Sequence, residues 1–291
     1  MFKKNVILYH LIAALTVIIW GITFVSTKIL INTGLTPVEI FLYRFVLAYC
    51  CILFISHKKL WANNLKDEFL LFICGLCGGS LYFVAENTAL GTTLASNVSL
   101  LICTTPLITA ILAHFFYKEH LQKKMLYGSL IALLGVGLVV FNGNFLLKIN
   151  PLGDLLTIFA ATMWAFYCLI LKKLSPVYST LFITRKVFIY GILSLCIYFI
   201  FKPLTFNTEL LTQPVVYLNL LFLGLIASML CYIMWNSAVK ILGASKTANY
   251  IYVVPLVTIL TSAIFLKETI TIISLIGAIC IIGGVYMAEK Q

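Results

Sequence analysis

The chain has 291 residues, of which 62% are apolar and 10% charged, with a mean hydropathy of +1.09. A soluble domain carries about 25% charged residues, so a water-soluble globule is excluded. The net charge of +11 does not point to nucleic acid, because the basic residues fall in ones and twos between apolar stretches and form no stripe with interleaved aromatics.

Ten apolar stretches follow in chain order, over residues 6–30, 37–55, 69–90, 95–117, 123–141, 152–171, 179–201, 215–239, 244–266 and 270–287. Each is near the 20 or so residues that carry a helix across about 30 Å of hydrocarbon. The expected fold class is therefore an all-α polytopic membrane protein with ten transmembrane helices, surrounded by lipid and with no room for a soluble domain. Lys3 and Lys4 before the first stretch resemble the start of a signal peptide, but the run is longer than a signal core, so an uncleaved first helix is expected. All nine cysteines lie inside apolar stretches, and Cys74 and Cys77 form a lone C-x-x-C. They read as packing residues rather than metal ligands.

The connections alternate between two faces. One face collects 13 lysines and the other 3, while Lys28, Arg44, Arg185 and Lys186 fall within spans. This bias predicts both termini in the cytoplasm, with the protein in the cell (inner) membrane.

The third to fifth stretches are repeated later in the chain. NTALGTTLASNVSLLICTTP (Asn87 to Pro106) aligns with NSAVKILGASKTANYIYVVP (Asn236 to Pro255) at a constant offset of 149 residues. The register continues without a gap through Lys118/Lys267, Glu119/Glu268, Gly128/Gly277 and Gly135/Gly284. More weakly, WGITFVSTK (Trp20 to Lys28) matches WAFYCLILK (Trp164 to Lys172). The expected domains are residues 1–145 and 146–291. Each holds five spans, an odd number, so the copies are expected upside down relative to each other. Inverted repeats rocking about a site near the midplane are the architecture of alternating-access carriers.

These residues resemble the EamA family of the drug/metabolite transporter superfamily over nearly the whole chain. The likeness rests on Trp20, Gly21 and Lys28, on Arg44 and Phe45, and on an Ala-Ser, Pro-Leu, Glu, Gly order in both halves. In the first half these are Ala95, Ser96, Pro106, Leu107, Glu119 and Gly128; in the second they are Ala244, Ser245, Pro255, Leu256, Glu268 and Gly277. The resemblance implies a ten-helix carrier with a central cavity, exporting amino acids or related small metabolites. It leaves the solute open. One departure is that Trp20-Gly21 is answered by Trp164-Ala165.

Candidate site residues follow from the cost of polar groups in hydrocarbon, about 2.5–3.5 kcal/mol for a charge at a helix centre on insertion scales. Glu86 is the one acid well inside a span, and Arg44 lies at a similar depth on the preceding one. Glu86 reads either as a proton-coupling or ammonium-binding carboxylate, or as half of a structural ion pair with Arg44. It also breaks the repeat, because its counterpart is Trp235. Asn87, Asn97, Asn236 and Asn249 read as solute ligands or as interhelical hydrogen-bond donors. Trp20, Tyr82, Trp235 and Tyr250, with Tyr232 and Tyr252, are candidate cavity aromatics. Arg185 and Lys186 are expected to snorkel to the headgroups. Pro106 and Pro255 remove backbone bonds to the carbonyls of Ile102 and Ile251 and predict kinks. The glycines of the fifth and tenth spans allow close helix contact, within one chain or at a homodimer seam.

No cofactor or metal is expected: the four histidines have no ligand spacing, and no phosphate-binding loop is present. The partner is then a small-molecule solute. The competing classes are a membrane-embedded lipid-modifying enzyme, which needs clustered acids or an activated nucleophile, and an ion channel, which needs a filter or charged ring. Neither pattern is visible.

Overall fold

Hydrocarbon offers no water to backbone N–H and C=O groups, so a chain this apolar has to close its hydrogen bonds within each segment. A computed structural model of the protein describes residues 6–57, 59–93, 95–120, 123–141, 150–201, 208–266 and 271–289, and among these it is helical, without strands. The helices are α1 (Val6–Asn32), α2 (Pro37–Ile55), α3 (Leu65–Thr92), α4 (Val98–Tyr117), α5 (Lys123–Phe141), α6 (Pro151–Leu174), α7 (Thr180–Phe201), α8 (Pro214–Leu242), α9 (Val254–Leu266) and α10 (Ile272–Glu289). Among the described residues seven, α1 to α4 and α6 to α8, are long and apolar enough to cross a membrane.

Helix starts follow from local capping. Thr36 and Glu39 form a reciprocal capping box ahead of α2, with Pro37 in the first turn. Helix α3 begins four residues before the apolar stretch does. Asn64 caps the Asp67 amide at 2.8 Å, and Asp67 and Glu68 occupy the first turn, where the helix dipole favours acids. The polar residues read from sequence as connection are thus the first turn of a helix. Asn150 and Ser179 cap α6 and α7 in the same way.

Four irregularities interrupt these helices. Helix α3 carries a π-type segment at Leu76–Ser80, and α8 carries one at Phe222–Leu230. The chain turns at Cys103 and Thr104, so that Pro106 opens a new helical stretch in α4. A 3₁₀ turn at Tyr250–Val253 precedes Pro255 in the same manner.

The elements of the two halves interleave. Helices α2 and α3 pack on α7, α3 lies along α6, and α8 packs on both α1 and α2. The longest contact joins α5 to α10 through glycine. A Cβ on Gly128 would lie 2.5 Å from the Gly284 carbonyl oxygen, and one on Gly135 would lie 2.7 Å from that of Gly277. Low numbers on one helix meet high numbers on the other, so the pair is antiparallel. Of the two uses the sequence left open for these glycines, the structure uses these four for close contact within one chain. Lys267 and Glu268, half of the repeated Lys-Glu motif, lie outside the described residues.

Replacing Gly128 by Leu forces the seam apart and is expected to lower unfolding stability in detergent by about 1–3 kcal/mol. Gly283, whose Cβ would meet open space, is the control: Gly283→Leu should leave the melting temperature unchanged.

Candidate functional site

A small cavity sits where α1, α2, α3, α4, α6 and α9 converge. Its charged groups are Arg44 from α2 and Glu86 from α3, and its aromatic walls are Trp20, Tyr82, Phe83 and Trp164. Thr23 and Thr105 add hydroxyls, and Phe24, Ile102, Ile251 and Val254 close the apolar remainder.

Arg44 and Glu86 are 2% and 7% exposed, yet they form no ion pair with each other; among the described residues the ion pairs are Lys172–Glu119 and Lys186–Glu68. Each is held by a neutral neighbour instead. Arg44 Nε donates to Ser228 Oγ at 2.9 Å, and its guanidinium carbon lies 4.2 Å from the centre of the Phe83 ring. Its two terminal nitrogens meet no acceptor among the described residues. The Tyr82 hydroxyl donates to Glu86 Oε1 at 2.7 Å. A cation and an anion therefore face one buried space, each anchored at one atom and open at the others. Leaving charge unpaired in low dielectric is costly, which is the mark of a place kept for something else.

The aromatic wall is built from three helices. Trp20 on α1 and Trp164 on α6 meet edge to face with centroids 5.1 Å apart, and Tyr82 lies 4.9 Å from Trp164. Trp20 Nε1 donates to the Ala227 carbonyl at 3.0 Å. The Trp164 indole N–H is buried with no hydrogen-bond partner. Trp164 belongs to the site and is absent from the sequence-derived candidates, although its pairing with Trp20 in the repeat was legible.

The remaining candidates lie elsewhere. Asn236 accepts from the Tyr167 hydroxyl at 2.5 Å and donates to Thr184 Oγ1 at 2.8 Å, joining α8 to α6 and α7. Asn87 donates to the Pro37 carbonyl at 3.1 Å. Both act between helices and do not line the cavity. Trp235 packs behind the wall, its ring 5.0 Å from Trp20. Tyr250 shares a hydrogen bond of 2.6 Å with His10 Nδ1, and Asn249 is buried at the adjoining turn. The side chain of Asn97 lies outside the described residues.

Arg185 and Lys186 do not snorkel. Both are buried: Arg185 donates to the carbonyls of Ser56 and Lys59, and Lys186 pairs with Glu68. Helix α3 starts early enough to bring Glu68 within reach, and the carbonyls of Ser56 and Lys59 meet the guanidinium. Lys28 likewise turns onto backbone carbonyls, those of Leu90 at 2.5 Å and Thr93 at 3.3 Å.

Comparison with known proteins places the chain among transporters. The sequence profile of the EamA-like transporter family matches residues 7–141 and again 151–289. An uncharacterized transporter of Archaeoglobus fulgidus is 30% identical, over 97% of each chain. A probable amino-acid metabolite efflux pump of Salmonella typhimurium is 27% identical, over 95% of this chain and 93% of that one. One crystal structure covers 99% of this chain and 97% of its own at a TM-score of 0.75 and 17% identity, which establishes a shared fold. The chain belongs to the EamA-like transporter family.

Proposed function

We propose that the protein is a secondary-active exporter of small amino-acid-like solutes in the cell membrane, with both termini cytoplasmic, working by alternating access around the Arg44–Glu86 cavity. The observation that carries this reading is the separation of two opposite, buried charges across one space. A zwitterion completes both: its carboxylate meets the free terminal nitrogens of Arg44, whose forked donors suit that shape, and its ammonium meets Glu86 between aromatic faces. The amino-acid metabolite efflux pump among the relatives supports the same solute class.

Alternating access needs two inverted halves, and several contacts support a two-fold relation between them. Gly128 and Gly277 are repeat counterparts, as are Gly135 and Gly284, and the seam joins Gly128 to Gly284 and Gly135 to Gly277. Such crossed pairing is the signature of a two-fold contact, and in an antiparallel pair the axis lies across the helices, in the membrane plane. The offset of 149 carries the π segment Leu76–Ser80 onto residues 225–229, inside Phe222–Leu230. Three counterpart pairs, Trp20/Trp164, Ile102/Ile251 and Thr105/Val254, line the cavity together, as residues near an axis do. Glu86, like Tyr82 and Phe83, departs from the symmetry, since its counterpart Trp235 stands outside the lining.

Purified protein in vesicles is expected to move L-phenylalanine or a close zwitterionic analogue faster than phenethylamine or 3-phenylpropionate, which each lack one charge. Glu86→Gln and Arg44→Gln should each reduce that flux at least about tenfold, the loss of one charge-assisted contact, with membrane insertion intact. Glu86→Gln should also abolish any dependence on a pH gradient. Equal rates for all three probes would overturn the zwitterion reading. A stability cycle on the empty protein gives a separate check: Arg44→Gln and Glu86→Gln should couple more weakly than Lys186→Gln and Glu68→Gln, because only the second pair is in contact.

A further inference from the structure

We propose that a polar cluster on the lysine-rich side is a two-point latch that shuts the cavity from the cytoplasm and has to part for solute to enter. The inference rests on the alternating-access reading and adds to it the contacts that hold one closed state.

The first point is Glu68, in the opening turn of α3. One of its carboxylate oxygens accepts from both Lys186 Nζ and the Tyr190 hydroxyl on α7, and the other accepts from the Ala62 N–H at 2.6 Å. Around it, the Tyr178 hydroxyl donates to Asp67 at 2.7 Å and accepts from the Asn63 N–H at 2.9 Å, and Arg185 holds the carbonyls of Ser56 and Lys59. The second point is Glu119, just past the end of α4. It pairs with Lys172 on α6 and accepts from Ser245 Oγ at 3.0 Å. Every one of these side-chain contacts except the Ala62 amide joins the first half to the second.

On the opposite side the pattern differs. Among the described residues, Lys28 bonds carbonyls of its own half, and the ties between halves there are neutral: Ser26 to Asn219 at 2.6 Å and Asn150 to the Thr92 carbonyl at 3.0 Å. Among the described residues, the ion pairs between halves thus lie on one side. Such pairs suit a latch. While shut they are partly dry and strong, and on parting into a water-filled opening each charge regains its hydration, so the cost of opening stays bounded.

The protein carries its own reporters. Cys77 lies nine residues along α3 from Glu68, and Cys168 lies four along α6 from Lys172; both are buried. In inside-out vesicles, a membrane-impermeant maleimide added to the cytoplasmic face is expected to label these thiols slowly in the wild type. Glu68→Gln and Glu119→Gln should each speed labelling by about tenfold, located by mass spectrometry. Ser26→Ala, on the other side, should not. Should Glu68→Gln fail to insert, Glu119→Gln, at a pair about a third exposed, carries the test alone. Rapid labelling of the wild type, or rates unchanged in the latch variants, overturns the latch. Because the readout needs no solute, a failure of the zwitterion reading leaves this result standing, and normal flux with unresponsive thiols removes the latch alone.

Discussion

In a medium that cannot solvate charge, every ionised side chain has to find a partner or be held where it is by something else. Lys186, Arg185 and Lys28 take the first course, on a carboxylate or on backbone carbonyls. Arg44 and Glu86 take the second. Attraction between them in low dielectric would draw them together, and Ser228, the Phe83 ring and the Tyr82 hydroxyl each hold one charge in place. The neighbours are neutral, so neither charge is quenched. On the proposed reading, a solute that completes both ends gains contacts the empty protein does not make for itself.

Holding such a space open requires helices that do not run straight past it. The π segments of α3 and α8 and the turns before Pro106 and Pro255 supply the departures. Each frees or redirects backbone at a depth where only protein or a lined cavity tolerates it. The α5–α10 seam stands apart from this, regular and tightly closed on glycine. Irregular helices thus lie around the cavity, and a regular seam lies outside it.

Hydropathy and charge made the helical class and the burial of Glu86 legible in the sequence, because each depends only on composition and spacing along the chain. What they could not fix is the rotation of each helix about its axis. Asn236 and Glu86 stand on counterpart helices at nearly matched positions, yet one faces α6 and α7 and the other faces the cavity. Ser228 carries no charge and left no signal, though it orients Arg44. The snorkelling expected of Arg185 and Lys186 failed for a related reason: snorkelling assumes a lipid-facing side chain, and both face protein. Trp164 shows the middle case, readable from the repeat once Trp20 is suspected.

The asymmetry of the latch follows from the same electrostatics. A carrier that spends time closed on both sides needs a barrier at each end low enough for solute binding to shift, and a differential of about 1.4 kcal/mol already moves such an equilibrium tenfold. One deeply buried ion pair would exceed that and lock the molecule. The two points here differ: the Lys186 and Glu68 side chains are 6% and 14% exposed, whereas Lys172 and Glu119 are about a third exposed. On the latch reading the more exposed point is the weaker and parts first, admitting water to the more buried one. Stepwise wetting turns a single large cost into two smaller ones, which lets the filling of a pocket many residues away bias the gate.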